Sequence, residues 1–564
     1  MKVIIIGGVA GGASCAARLR RLNEESEIVI YEKTNYISYA NCGLPYYIGD
    51  VIKEENALIL QTPSSFKKRF NIDVFVSHEV IKIDPVKKCV IVKDLINNIE
   101  FTDYFDKLVI ATGASAIKPS FYINNDRIFT IKTVEDTLNI KNSLTNKNIK
   151  NAVVIGGGYI GLEMCENIKE LGINVTLIEG KSHVLNNLDS DMASFVHNNL
   201  IKNGVKLLLN TLVQSLSIEN NQIIITLNNE NKIVTDAVIC SVGVRPNNTL
   251  AKDINLELGL NSCIKVNSFM ETSIKDIYAV GDVIEVKNIV TNDFAQIFLA
   301  GPANKQGRIA ADNICGLKNE YKGSLSSSII KVFDLTAAST GISESMCQSL
   351  NIPYEKVILT SSSHASYYPG GKSLTTKIIF NKETYEILGG QIVGYDGVDK
   401  RIDVLATAMF SKLSALDLKD LDLSYAPPYS SAKDPINMAG FIIDNIKNNI
   451  VKQFYYEDLK SLRQEDVIFL DTRTPLEYER GHAEGFIHIP LDSLRNRLNE
   501  LDLSKRIYVM CQSGLRSYIA TRILIQNGYD AYNFSGGYLL YSSIEKSNSL
   551  TNNIFPCGMD KCIK

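Results

Sequence analysis

The chain has 564 residues, a formal net charge of -3 and 45% hydrophobic residues, which calls for three or four globular domains. The near-neutral balance supplies no field for nucleic acid or an anionic membrane, and no apolar run approaches a membrane span. The 11 scattered cysteines exclude a disulfide framework, and with the start MKVIIIGG, which enters a strand and lacks a signal peptide's features, they predict a reducing, cytoplasmic setting.

Lys2 to Ile6 is a short apolar run, predicting a buried parallel strand. Gly7, Gly8, Val9, Ala10, Gly11 and Gly12 follow, then an amphipathic run, Ala16 to Leu22, and a second strand, Glu27 to Tyr31. Glu32 and Lys33 close that strand. Strand, glycine turn, helix, strand and terminal acid form the dinucleotide fingerprint, in which backbone N–H groups meet a pyrophosphate and the acid meets ribose hydroxyls. Val9 departs from the pattern by standing where its middle glycine belongs.

Ser38-Tyr-Ala-Asn41-Cys42-Gly-Leu-Pro-Tyr46 comes next. Gly43 and Pro45 favour a helix start, and a helix N-terminus would lower the Cys42 thiol pKa. No second cysteine lies within several residues, so Cys42 reads as a redox thiol whose partner sulfur comes from a substrate.

Lys107 to Gly113 reads KLVIATG, a buried strand ending in the small-residue turn Ala111-Thr112-Gly113. Thr272 to Asp282 is a strand closing in Gly281-Asp282, where the Asp would bind a ribitol chain. With the first fingerprint, these segments resemble the FAD domain of the two-dinucleotide-fold flavoprotein disulfide reductases. Ala300 is assigned to the same cofactor site.

Ala152 to Glu179 repeats the fingerprint in full, with Gly156, Gly158 and Gly161 around Tyr159 and Ile160. This unit is expected to bind the nicotinamide nucleotide. Glu179 favours the free 2′-hydroxyl of NADH over NADPH, while Lys181 and His183 soften that preference. Gly243, in CSVGVRPN, belongs to the strand and turn closing the domain.

From about Leu325 to Asn445 strand patterns predict an antiparallel sheet with helices on it. Tyr367 and Tyr368, in SYYPGG, and Tyr425 and Lys433, in LSYAPPYSSAK, stand out. A phenol near a sulfur intermediate can donate to a leaving thiolate.

The single cysteine of SYANCGLPY, the YYPGG and SYAPPYSSAKDP segments and the two dinucleotide folds resemble the coenzyme A-disulfide reductases over roughly residues 1 to 445. The resemblance implies a mixed disulfide between Cys42 and coenzyme A. It also implies a homodimer whose partner supplies Tyr367 and Tyr425, with Tyr368 the fallback. It puts coenzyme A on Ser14, Arg18, Arg21, Ser38, Asn41, Lys433 and, more weakly, Asn304. Arg18 and Arg21 lie nearly one helical turn apart, so both can face adenosine phosphates.

After residue 445 the chain starts again. Val467 to Asp471 and Arg506 to Met510 read as strands, the second running into Cys511-Gln-Ser-Gly-Leu-Arg516-Ser and a helix. A cysteine heading such a loop sits among converging N–H groups. With DTR and GHAEGFIHIP upstream, this resembles rhodanese, with Arg516 expected to add charge to the cradle and His482 and His488 expected to be structural. Cys557 and Cys562 fall in a polar tail where a metal site is not expected.

The expected fold is thus α/β: two Rossmann-type dinucleotide-binding domains, an α+β dimerisation domain and a C-terminal α/β rhodanese domain. The boundaries are 1–110 with 247–324 for FAD, 111–246 for NAD(P)H, 325–445 for dimerisation, 446–455 for a linker, 456–548 for rhodanese and 549–564 for the tail. The expected activity is NAD(P)H-driven, FAD-dependent reduction of coenzyme A disulfide or persulfide, coupled to sulfur transfer at Cys511. One alternative is an NADH oxidase or peroxidase cycling through a cysteine sulfenic acid. Those enzymes carry a histidine after the first glycine turn, where this chain has Val9-Ala10-Gly11. Another is a sulfur carrier or sensor whose flavin only reports redox state.

Overall fold

Val3, Ile4 and Ile5 have no accessible surface, as a strand covered on both faces requires. In the computed structural model, which describes residues 1–552, they lie in a parallel five-stranded sheet. Its order is Ile277–Ala279, Lys107–Ile110, Lys2–Ile6, Glu27–Tyr31, Asp73–Phe75. The expected Cys557 and Cys562 tail lies outside the described residues.

Two compact units divide the chain: 1–178 with 212–326, and 179–211 with 327 onward. In the first, helix Ala10–Leu22 packs on helix Ala300–Ile314. The approach is close enough that a Cβ on Gly307 would stand 2.2 Å from the Gly11 carbonyl oxygen. A second parallel run orders Asn174–Ile178, Asn151–Ile155, Ala237–Cys240 and Ile128–Phe129. Thr133 caps the helix Val134–Asn146 reciprocally with Asp136 and so fixes where that helix starts.

The second unit holds an antiparallel five-stranded sheet, Ser328–Val332, Leu335–Gly341, Ile387–Gly394, Ser373–Asn381, Tyr354–Ser362. It also holds a parallel sheet in the order Lys452–Phe454, Ala531–Phe534, Ile507–Met510, Ile468–Asp471, Phe486–His488. Ile507 and Val509 face one apolar cluster and Tyr508 and Met510 another, so the central strand is covered on both sides. The stretch 446–455, expected as a linker, contains the edge strand Lys452–Phe454, because its backbone pairs with Ala531–Phe534.

The C-terminal module is seated within its unit. Ile358 packs with Leu540 and Ile544, and the Ile358 N–H donates to Ser535 Oγ at 2.9 Å. Tyr455 donates to the Lys356 carbonyl at 2.8 Å, and His197 shares a 2.8 Å hydrogen bond with Ser547. Lys377, fully buried, meets Asp189 at 3.0 Å, Asp191 at 2.9 Å and Glu344 at 2.8 Å. Among the described residues no helix is long and apolar enough to cross a membrane.

Candidate functional site

The first glycine turn needs its glycines. Gly7 has φ +103°, and a Cβ there would lie 2.3 Å from the Ala111 carbonyl oxygen. A Cβ on Gly12 would lie 1.9 Å from the Gly7 oxygen. Glu32, buried, accepts the Gly8 N–H at 2.9 Å with one carboxylate oxygen and the Thr34 N–H at 2.9 Å with the other. A cavity of about 820 Å3 opens beside them, lined by Gly7, Glu32, Lys33, Thr112, Arg245 and Asn248. Glycines that admit a pyrophosphate and an acid that can accept ribose hydroxyls fit the adenosine end of FAD. Val9 serves as the N-cap of helix Ala10–Leu22 and leaves this geometry intact. Thr112 Oγ1 donates to the Asn247 carbonyl at 2.7 Å, next to Gly113 at φ +64°. Asp282 pairs with Lys132 at 3.1 Å, and Gly281, at φ +81°, donates to Gln306 at 2.8 Å.

In the second fingerprint a Cβ on Gly161 would lie 1.9 Å from the Gly156 oxygen, while one on Gly158 would meet open space. That opening, at the cap of helix Tyr159–Glu170, fits a nucleotide pyrophosphate. Glu179 accepts the Lys181 N–H at 2.8 Å. Gly243, at φ +113°, accepts from the Ile117 N–H at 3.0 Å.

Cys42 is exposed, on the 3-10 turn Asn41–Gly43 that leads into the short helix Leu44–Ile48. Ser38, at φ +44°, donates its N–H to the Gly8 carbonyl at 2.8 Å, tying this stretch to the first glycine turn. The expected lowering of the thiol pKa is not what the structure gives. Cys42 lies before the helix proper, and its thiol is held above its ordinary value, first by partial desolvation and then by Glu163, with Lys132 opposing. Glu163 is itself pushed up to about 7 by burial and by Glu166, while its hydrogen bond from Tyr46 pulls the other way. Tyr46 is raised to about 12 by burial and by the same two carboxylates.

On the seam between helices Ala10–Leu22 and Ala300–Ile314, Ser14 donates to Asn304 at 2.5 Å and Arg18 pairs with Asp312 at 2.6 Å. Arg21 and Asn304 are exposed, and Asn41 is half-buried. The Arg18 charge is therefore shared with Asp312.

In the second unit, the hydroxyls of Tyr367 and Tyr425 lie 2.5 Å apart, both exposed. Arg401 ties their loops together, donating to the Ser363 carbonyl at 2.8 Å and to Ser430 Oγ at 3.2 Å. Tyr368 instead meets the His364 ring edge-on at 5.6 Å. Lys433 is exposed beside Asp434, which caps helix Pro435–Lys447.

Cys511 ends the strand Ile507–Met510 and is buried. Its Sγ accepts from the Gly514 N–H and from Ser517 Oγ, each at 3.2 Å. Gly514, at φ +107°, caps the helix Leu515–Gln526 and turns its N–H inward. Arg516 does not donate to the sulfur: it grips Glu477 with both terminal nitrogens, at 2.6 and 2.7 Å, so its charge reaches the loop already paired. His482 and His488 stack on Tyr478 at 4.0 and 4.3 Å and bond to backbone carbonyl groups.

The sequence pattern of pyridine nucleotide-disulphide oxidoreductases matches residues 1–307, that of their dimerisation domain residues 327–435, and that of rhodanese-like domains residues 456–543. The chain belongs to the pyridine nucleotide-disulphide oxidoreductase family. A coenzyme A disulfide reductase of Staphylococcus haemolyticus is 38% identical over 441 residues, covering 78% of this chain and 98% of that one. The structure of reduced Bacillus anthracis CoADR-RHD is 45% identical with a TM-score of 0.94, covering 97% of this chain and 98% of that chain. That of an NAD-dependent persulfide reductase from A. fulgidus is 35% identical with a TM-score of 0.91, covering 96% and 100%. This pyridine nucleotide-disulphide oxidoreductase is therefore an α/β flavoprotein, and membership implies FAD and a nicotinamide nucleotide.

Three groups in this oxidoreductase escaped the sequence reading. Glu163 and Lys132 bear on Cys42 from distant segments, and Glu477 meets Arg516 from 39 residues away. Only Glu477 left a local trace, the Thr474-Pro-Leu-Glu477 capping box.

Proposed function

We propose that the protein reduces coenzyme A persulfide, and coenzyme A disulfide, at the expense of NADH, and that its C-terminal module transfers sulfane sulfur. The observation that carries the reading is Cys42, a free thiol on an exposed turn tied to the glycine turn of the FAD region. Among the described residues Cys42 has no disulfide partner, which supports a second sulfur supplied by the substrate.

The Cys42 thiolate attacks the coenzyme-linked sulfur of the persulfide, the S–S bond breaks and hydrosulfide leaves. Two electrons then return the mixed disulfide to the Cys42 thiolate and free coenzyme A. Overall, persulfide, NADH and a proton give coenzyme A, hydrogen sulfide and NAD+. Bound FAD would supply the two-electron relay between the nicotinamide and the disulfide. Ser14, Arg18, Arg21, Ser38, Asn41, Asn304 and Lys433 are the residues assigned to coenzyme A. In a homodimer, the Tyr367 and Tyr425 pair of the neighbouring subunit would protonate or stabilise the leaving thiolate. The first glycine turn and Glu32 would hold the FAD, and Gly156, Gly158, Gly161 and Glu179 the NADH. The relatives named for coenzyme A disulfide and persulfide reduction, together with the rhodanese-like module, support persulfide as the working substrate over oxygen or peroxide.

Rapid mixing of the reduced holoenzyme with coenzyme A persulfide tests this. Fast return of the oxidised flavin spectrum is expected, and Cys42→Ser should abolish it. Equal rates in the two proteins would remove Cys42 from the reaction.

A further inference from the structure

Two guanidinium groups stand at the Cys511 loop, and both already carry a carboxylate. Arg473, fully buried, pairs with Asp471 at 2.8 Å. Its remaining N–H groups go to the Gly481 carbonyl at 2.8 Å, and to Gln512 Oε1 and the Glu477 carbonyl at 3.3 Å each. All five donors are thus spent. Arg516 is different. It is half-buried, feels the Cys511 charge, and uses only its two terminal nitrogens, both on Glu477.

Glu477 is firmly held in that role. Its Oε2 also accepts the Thr474 N–H at 2.9 Å and Thr474 Oγ1 at 2.8 Å. The Arg516 hydrogen bonds, against a smaller desolvation effect, bring its carboxyl down to about 2, so it stays charged at physiological pH. The four charges of Asp471, Arg473, Glu477 and Arg516 cancel, and among the described residues the sulfur itself receives neutral donors, Gly514 N–H and Ser517 Oγ.

We infer that Glu477 sets the sulfur donor of the Cys511 site, neutralising Arg516 so that thiol-bound persulfides are accepted and the thiosulfate dianion is disfavoured. The inference rests on the proposed role of Cys511 as a sulfur acceptor. With a persulfide, the Cys511 thiolate attacks the outer sulfur, the S–S bond breaks, the carrier thiolate leaves with the bonding pair, and Cys511 carries the persulfide. The reacting groups carry one negative charge with the neutral hydropersulfide and two with its anion. With thiosulfate the same displacement expels the sulfite dianion, so the loop must face three negative charges in all. A free Arg516 would offset part of that, whereas one held in a two-point grip by Glu477 does so weakly.

Thiocyanate formation by the full-length holoenzyme, with cyanide as acceptor, tests this using thiosulfate and glutathione persulfide as donors. The unmodified protein should favour the persulfide in kcat/KM. Glu477→Gln keeps a residue type that serves the capping box, and should raise thiosulfate kcat/KM relative to persulfide by about tenfold. The thiosulfate rate of that variant should also fall with added salt, as screening of a freed Arg516 requires. A donor ratio unmoved by Glu477→Gln, or a thiosulfate preference in the unmodified protein, overturns the inference. Should Glu477→Gln fail to fold, Arg516→Gln decides: it must depress thiosulfate use more than persulfide use, and an equal loss overturns the inference. Cys511→Ala separates the two levels. Thiocyanate formation that survives it defeats the acceptor role, whereas Cys511-dependent transfer with an unmoved ratio defeats only Glu477.

Discussion

Tyr367 and Tyr425 bring their hydroxyls to 2.5 Å across 58 residues of chain. One phenol must donate and the other accept, so the pair presents a single outward proton. The Tyr425 phenol is raised above its ordinary value, first by the hydrogen bond to Tyr367.

A pair that presents one outward proton, oriented by the hydrogen bond between its members, fails as a unit. Tyr425→Phe and Tyr367→Phe should each slow reoxidation of the reduced flavin by coenzyme A persulfide by roughly 10- to 100-fold, with the double variant little worse than the slower single. Flavin reduction by NADH should keep its rate in all three. Stopped-flow measurement of both half-reactions checks this, and multiplicative losses in the double variant would mean that the phenols act separately.

Cys42 and Glu163 should answer to each other. The carboxylate raises the thiol pKa, so Glu163→Gln should lower it and speed alkylation of Cys42 by iodoacetamide at pH 7.5 by roughly threefold. Because Glu163 titrates near 7, the unmodified protein should show an inflection in its alkylation profile near that pH, and the variant should lose it. Mass spectrometry of Cys42 labelling across pH 6 to about 9 reads both effects. A variant whose Cys42 reacts more slowly would show that the carboxylate assists the thiolate.

What could be read from the chain followed from local rules. The glycines at 7, 12, 156 and 161 are forced by backbone approach, and that requirement leaves a mark at fixed spacing. The Cys511 loop is equally local, since strand, thiol, Gly514 and helix follow without a break. The charges around each thiol were not legible, because they arrive from elsewhere. A helix start beside Cys42 argued for a lowered thiol pKa, yet partial desolvation and a carboxylate on another helix decide the direction. Arg516 read as a free cation because nothing near it in sequence reveals the grip of Glu477. The seat of the C-terminal module was hidden for the same reason: Ser535, Ser543 and Ser547 look like ordinary polar residues until Ile358, Ser194 and His197 meet them.

The same unit holds buried Lys377 and Asp189 with half-buried Asp191 and Glu344, and this cluster should respond to acid. Burial alone would raise the Glu344 carboxyl, but Lys377 and then Lys356 outweigh it and bring it to about 2. A carboxylate depressed in the folded state contributes its full stabilisation above its unfolded pKa, near 4.5, and loses it as the pH falls toward about 2. The loss for this coupled group is on the order of 2 kcal/mol. Lys377→Met leaves three carboxylates without their central cation and should cost about 3–5 kcal/mol at pH 7. It should cost much less near pH 3, where protonation has already relieved part of the repulsion. Urea unfolding of the two proteins at both pH values measures this difference. A penalty that stays constant with pH would locate the role of Lys377 in packing and not in charge.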